Sequence, residues 1–199
     1  MTRRVLRLVA GAACIAALAA CRSDRRMAAQ QAGIVDSAIP REVALARFQA
    51  SAKRVDSLTG GLPSRDSLIA SFVRALERRD TTALRSMLLT RDEFAFLYYP
   101  TSAQGLPPYD LSPQLMWFMM EVNSAKGLAR ALEERGGRSL HYAGYRCYGS
   151  STREGENTLW GPCTILRVQP QGDTVEERLF GQVIERGGRW KFGTYANKL

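Results

Sequence analysis

The chain has 199 residues, 45% of them apolar and 24% charged, with a formal net charge of +9 at pH 7. One histidine and four cysteines without a Cys-x-x-Cys pair give no zinc pattern, and the sequence carries no phosphate loop, dinucleotide fingerprint or Gly-x-Ser-x-Gly elbow. No block of five like charges occurs, so the basicity reads as arginines scattered over a solvated surface.

The first twenty residues read as an address. Arg3, Arg4 and Arg7 open the chain without an acid, and residues 8–20 are uncharged and mostly apolar. A basic start, a short apolar stretch and a small-residue exit describe a secretory signal peptide. Thirteen residues of helix would span roughly 20 Å, short of the ~30 Å of a bilayer core. The exit, Leu18-Ala19-Ala20-Cys21, resembles the lipobox of bacterial lipoproteins. That resemblance implies diglyceride on the Cys21 sulfur, cleavage before Cys21, and an acyl chain such as palmitate on the new amine. Several chains make such an anchor durable where one holds only marginally. Arg22 rather than Asp follows, which implies the outer membrane, with the body facing the periplasm.

Without residues 1–20, 25 basic residues face 19 acidic ones, a net +6. One domain with a real core suits this length. Cys14 leaves with the leader and Cys21 takes lipid, so Cys147 and Cys163 remain as an even pair in an oxidising compartment, where a disulfide is the default. An exported protein meets no nucleic acid; the expected partners are the bilayer and an unknown small apolar ligand or envelope protein.

Residues 21–38 are polar and read as a tether, and residues 39–199 as a single α+β domain. Pro40 suits a first helical turn, with Val43, Phe48, Ala52 and Val55 on one stripe through Ser57 and a stop at Thr59-Gly60-Gly61. Ser64 caps a second helix with Leu68, Phe72, Ala75 and Leu76 inward. Asp80 caps a short third over residues 81–89. Thr90 and Glu93 form a capping box that opens 94–98, which Pro100 ends. Ser112-Pro113 starts the longest helix, to about Arg135, with a stripe of Leu115, Phe118, Met119, Val122, Ala125, Ala129 and Leu132; Gly136-Gly137 closes it. The period then changes to alternation, predicting strands at 139–148, 158–169, 174–186 and 189–196, with turns at Gly155, Gln171-Gly172-Asp173 and Gly187-Gly188. Cys147 and Cys163 both lie eight residues from Gly155, so a hairpin centred there sets them opposite if its two strands pair without a bulge. Pro162 suggests an edge or a bulge.

Helices followed by a meander predict a curved antiparallel four-stranded sheet packed on the long helix. The run Phe72-Val73-Arg74-Ala75-Leu76 through Asp80-Thr81-Thr82-Ala83-Leu84 resembles the opening of the NTF2-like (cystatin-like) superfamily. The ending Gly188-Arg189-Trp190-Lys191-Phe192 is similar to its final strand. The resemblance implies a cone-shaped cavity between sheet and helix, and a strand between the helices that only 94–99 could supply.

Candidate site residues follow from that cavity. Phe94, Phe96, Tyr98, Tyr99, Tyr109, Trp117 and Phe118 fall within 25 residues. Tyr98 and Tyr99 at a helix exit, Trp117 and Glu121 on the long helix, and His141 with Tyr145 on the first strand are the candidate pocket. An enzyme of the isomerase or hydrolase type would pair a carboxylate (Asp92, Asp110 or Glu121) with a tyrosine or His141. No spacing selects among them, so no catalytic residue, metal ligand or cofactor is assigned. A binding module, such an enzyme and a structural spacer stay open; a spacer predicts an exposed apolar patch in place of a pocket.

Overall fold

The computed structural model describes residues 39–196. The expected signal peptide, the expected lipidation site Cys21 and the expected tether lie outside these residues. From Pro40 onward the chain forms one compact unit. It is α+β, with helices in the first two thirds and antiparallel strands in the last third.

Helix α1 spans Arg41–Gln49, ending well short of Ser57. The Ser51 hydroxyl donates to the Phe48 carbonyl and so competes with the next helical bonds. Helix α2, Arg65–Glu77, starts at Ser64, whose hydroxyl accepts from the Ser67 amide while the Ser67 hydroxyl accepts from the Ser64 amide. Helix α3, Thr81–Ser86, is capped by Asp80, and α4, Arg91–Glu93, by the Thr90–Glu93 box. Beyond it Phe94–Tyr98 is a π-helix and Tyr99–Thr101 a 3₁₀ turn, so this segment supplies no strand between the helices. Helix α5, Pro113–Glu134, is the longest, with Ser112 at its cap.

The four expected strands are present in the expected order, but 158–169 and 174–186 are each interrupted, 189–196 ends at Phe192, and Thr152–Glu154 adds a strand where a turn is expected, so the structure holds two sheets instead of one. The pieces are β1 (Tyr142–Cys147), β2 (Thr152–Glu154), β3 (Asn157–Trp160), β4 (Cys163–Val168), β5 (Thr174–Glu177), β6 (Val183–Arg186) and β7 (Arg189–Phe192). One sheet runs β1-β4-β5 and the other β2-β3-β6-β7, all antiparallel. The ribbon folded back near Gly155 therefore passes through both. Cys147 faces Cys163 across β1 and β4 at bonding distance, with Cα atoms 4.0 Å apart. Between that pair and Thr152–Leu159, residues 148–151 oppose only 160–162, a bulge that contains Pro162. Proline has no amide to offer a ladder, which is why the break falls there. The third strand breaks at residues 178–182, and the end of the chain fills the gap: the Gly181 amide donates to the Thr194 carbonyl, and Phe180 bridges Tyr195. Gly187-Gly188, both at positive φ, form the two-residue turn between β6 and β7.

The edge of β7 is covered by single bridges from residues preceding α2 and α4: Leu62 pairs with Trp190 and Leu88 with Phe192. The four-stranded sheet is packed on both faces. One face carries Val183 and Phe192 against Leu68, Phe72 and Leu76 of α2, with Phe180 and Tyr195. The other carries Leu159 and Ile184 against Phe48, Phe94, Tyr98, Tyr99 and Met116.

Helix α5 is turned relative to its expected stripe. Met116, Ser124, Gly127, Leu128 and Ala131 are buried, while Leu115, Phe118, Met119, Ala125 and Ala129 are exposed. Close approach decides the phase: a Cβ on Gly127 would sit 2.5 Å from the Ala196 carbonyl oxygen. Only a helix face with glycine there can receive the chain's last described residues.

Candidate functional site

Where residues 193–196 leave β7 and pass under α5, the packing opens into two clefts. The first, about 260 Å³, lies among Leu88, Leu89, Trp117, Glu121 and Leu128, with Arg85 on its wall. The second, about 380 Å³, lies among Tyr98, Gln104, Leu111, Met116 and Thr194. Met120 and Gly193 line both, so one flexible thioether separates the two. The clefts exist because the sheet ends at Phe192 while α5 continues over it, held by the Ser124 hydroxyl, which accepts from the Tyr195 amide.

The two differ in charge. In the first cleft Arg85 and Glu121 are exposed, and neither has an ion-pair partner among the described residues. Arg91, on the same wall, is already committed: it donates to the Ser51 carbonyl and hydroxyl and lies 4.3 Å over the Phe48 ring. The second cleft has amides and hydroxyls but no charged lining residue. Burial pushes the Tyr98 phenol up to about 12, against the opposing effect of a hydrogen bond with Ser102. Tyr98 therefore lines the cleft as a neutral phenol.

Of the six candidate residues, Trp117 and Glu121 share the first cleft and Tyr98 lines the second. Trp117 also packs on Phe94, with ring centroids 5.3 Å apart. Tyr99 lies in the core instead: its hydroxyl donates to the Leu111 carbonyl, and Arg41 sits 5.2 Å over its ring. His141 is exposed at the start of β1, at positive φ. Tyr145 is on β1, where its hydroxyl donates to Asp66 at 2.5 Å and accepts from Arg65 at 2.9 Å. Burial is the largest cause raising that phenol's pKa. His141 and Tyr145 line neither cleft. Asp92 accepts from the Lys53 amide, Asp110 and Tyr109 are exposed, and none of the three lines a cleft.

Two constellations escape a reading of the sequence. Glu93 and Lys191 form a fully buried ion pair at 2.9 Å; the Thr59 amide and hydroxyl and the Thr90 amide also donate to the carboxylate. Strand alternation puts Lys191 opposite Phe192, which is correct, but that face is covered as well. Arg65 sits in a box of aromatic rings, 4.4 Å from the centroid of Trp160, 5.4 Å from Tyr145 and 5.9 Å from Trp190. Its position one residue after a helix cap gives no sequence signal of that role. Arg85, Met120 and Gly193, which complete the clefts, carry none either.

Comparison with protein-family models, with characterised proteins and with solved structures gives no match to this chain. Among the described residues no helix is long and apolar enough to cross a membrane, and no group of three or more acidic, histidine or cysteine side chains is placed to hold a metal.

Proposed function

We propose that this chain is a bacterial envelope lipoprotein, anchored through acylated Cys21 and facing the periplasm. Its body binds a small, mainly apolar ligand beside α5. The observation that carries the binding role is the pair of adjoining clefts parted by Met120. Together they offer an apolar floor, an unpaired cation and anion on one rim, and neutral hydrogen-bonding groups on the other. The anchor rests on the basic, apolar and small-residue order that ends at Cys21. An NTF2-like plan is supported by the capped helix pair at Ser64 and Asp80 and by the β2-β3-β6-β7 meander under α5.

Ala125 borders the first cleft and is exposed, so a large ring there enters the cleft without disturbing buried packing. Native mass spectrometry of the full chain purified from the envelope is expected to show a retained small molecule that Ala125→Trp loses. A wild-type chain without bound mass, also after incubation with total envelope extract, would overturn the ligand-binding role.

A further inference from the structure

The outer side of α5 presents an apolar surface that nothing in the described chain covers. Phe118 is 59% exposed, Leu115 47% and Met119 44%. Val122 continues this side half-buried, and Ala129 extends it. Residues 113–120 contain no charged side chain, and the first cation beyond Val122 is Lys126, one turn further. The start of α1 adjoins the same end of α5: the Gln114 side chain donates to the Ala44 carbonyl at 3.5 Å, and Val43 beside it is 42% exposed. The inner side of α5 is already satisfied by Met116, Leu128 and Ala131. The helix is thus apolar on two opposite sides, and the structure accounts for one.

We infer that the outer side of α5 lies flat on the bilayer that holds Cys21, with Leu115, Phe118, Met119 and Val122 in the headgroup–acyl boundary. This rests on the lipid-anchor reading. Residues 22–38 number 17 between the lipidated sulfur and Ile39. Even fully extended, 17 residues reach at most about 60 Å. The body is therefore kept within a few nanometres of lipid at all times, and the effective concentration of the bilayer at this face exceeds that of any freely diffusing partner. The chemistry of the face matches an interfacial helix: large aliphatic and aromatic side chains on one side, with a lysine whose stem can reach back to the headgroups. The net +6 of residues 21–199 adds attraction to anionic lipid.

The test uses the full chain made with its own leader, purified from the envelope and reconstituted into phosphatidylethanolamine–phosphatidylglycerol vesicles with or without dibrominated acyl chains. The indole introduced by Phe118→Trp is expected to lose about half its emission to the bromines, as a ring in the interface does. The indole introduced by Tyr148→Trp, at the end of β1, is expected to lose almost none. Native tryptophan emission is subtracted with the parent chain. Leu115→Glu, outside both clefts, added to Phe118→Trp should restore the emission. The mass of the amino-terminal peptide from the same sample reports acylation separately. An acylated chain whose two probes respond alike overturns the docking and leaves the anchor standing. An unquenched Phe118→Trp chain that runs as a dimer assigns the face to a second copy and also overturns it. An unacylated Cys21 removes the anchor and the docking together.

Discussion

The two faces of the β2-β3-β6-β7 sheet are both closed, by different means. Toward α2 the contact is aromatic and dry: Phe72 meets Phe180 and Phe192 edge-on at 5.5 Å, and Tyr195 completes the cluster with its hydroxyl donating to the Leu84 carbonyl. Toward α4 and the π-helix, three polar side chains of the sheet reach through an otherwise apolar layer. Lys191 binds Glu93, Asn157 donates to the Leu97 carbonyl at 2.7 Å, and Arg186 donates to Asn157. The first face needs only shape and area. The second holds an irregular segment, 90–101, whose backbone does not pair with the sheet, so directional bonds fix its position. That is the segment from which Tyr98 reaches the second cleft.

Breaking the polar face should give the largest effect. Lys191→Met leaves a fully buried carboxylate with three remaining hydrogen bonds and no cation, and is expected to cost about 3–5 kcal/mol. Adding Glu93→Gln removes the stranded charge and should recover most of the loss, because a buried pair is worth little beyond the apolar groups that can replace it. On the aromatic face Phe72→Ala should cost a similar ~3–5 kcal/mol through the cavity it leaves, and no charge-removing partner can rescue it. Urea unfolding of the four chains measures both. Equal losses for Lys191→Met and the double variant would show that the ion pair does not organise this face.

Alkali separates the faces more gently. A tyrosine in the unfolded chain ionises near pH 10, whereas the folded Tyr98 holds its proton to about 12. Between those values the unfolded chain releases a proton that the native chain keeps, so stability is full below pH 10 and falls as pH rises. Tyr195 on the aromatic face is also raised by burial, and its contribution falls over the same range and beyond. Tyr98→Phe should therefore lessen the fall between pH 9 and pH 11.5 by about 2 kcal/mol without abolishing it. If its profile overlays that of the parent chain, Tyr98 is not the desolvated phenol that the cleft geometry implies.

The same contrast explains what the sequence discloses. Side-chain caps are local, and Ser64, Asp80, Thr90 and Ser112 each start a helix where the residues say they should. The order of the strands is also local, since turn residues settle it. The Cys147–Cys163 register is not: the turn at Gly155-Glu156 pairs Glu154 with Asn157, and only the bulge of 148–151 against 160–162 brings Cys147 opposite Cys163. Nor are the interruptions: the break at 178–182 depends on residues 194–196 returning to fill it. The phase of α5 is hidden for a related reason. Residues 115–120 are apolar all round, and the buried side is chosen by Ser124 and Gly127, small residues that a search for large apolar ones passes over. The large apolar residues alone predict Phe118 and Leu115 inside, whereas both are exposed. Glu121 adjoins that solvent-facing stripe and still reaches the first cleft. His141 and Tyr145 lie at or on β1, which belongs to the other sheet.

Caps give the smallest and sharpest comparison, because one stands on each side of the sheet. Ser64→Ala removes the acceptor for the Ser67 amide at the start of α2 and should cost about 1 kcal/mol. Thr90→Ala removes the acceptor for the Glu93 amide in the same way. But the Glu93 carboxylate still accepts from the Thr90 backbone amide, from Thr59 and from Lys191, none of which needs the Thr90 side chain. The helix start is then held from three directions, and the expected cost drops to about half that of Ser64→Ala. In a Lys191→Met background one of those restraints is gone, so Thr90→Ala should become as costly as Ser64→Ala. Denaturant midpoints of the parent chain, Ser64→Ala, Thr90→Ala, Lys191→Met and the Thr90→Ala/Lys191→Met double variant decide it. A Thr90 cost that stays the same in both backgrounds would mean that the cap and the ion pair act independently, and that segment 90–101 is not positioned as one unit.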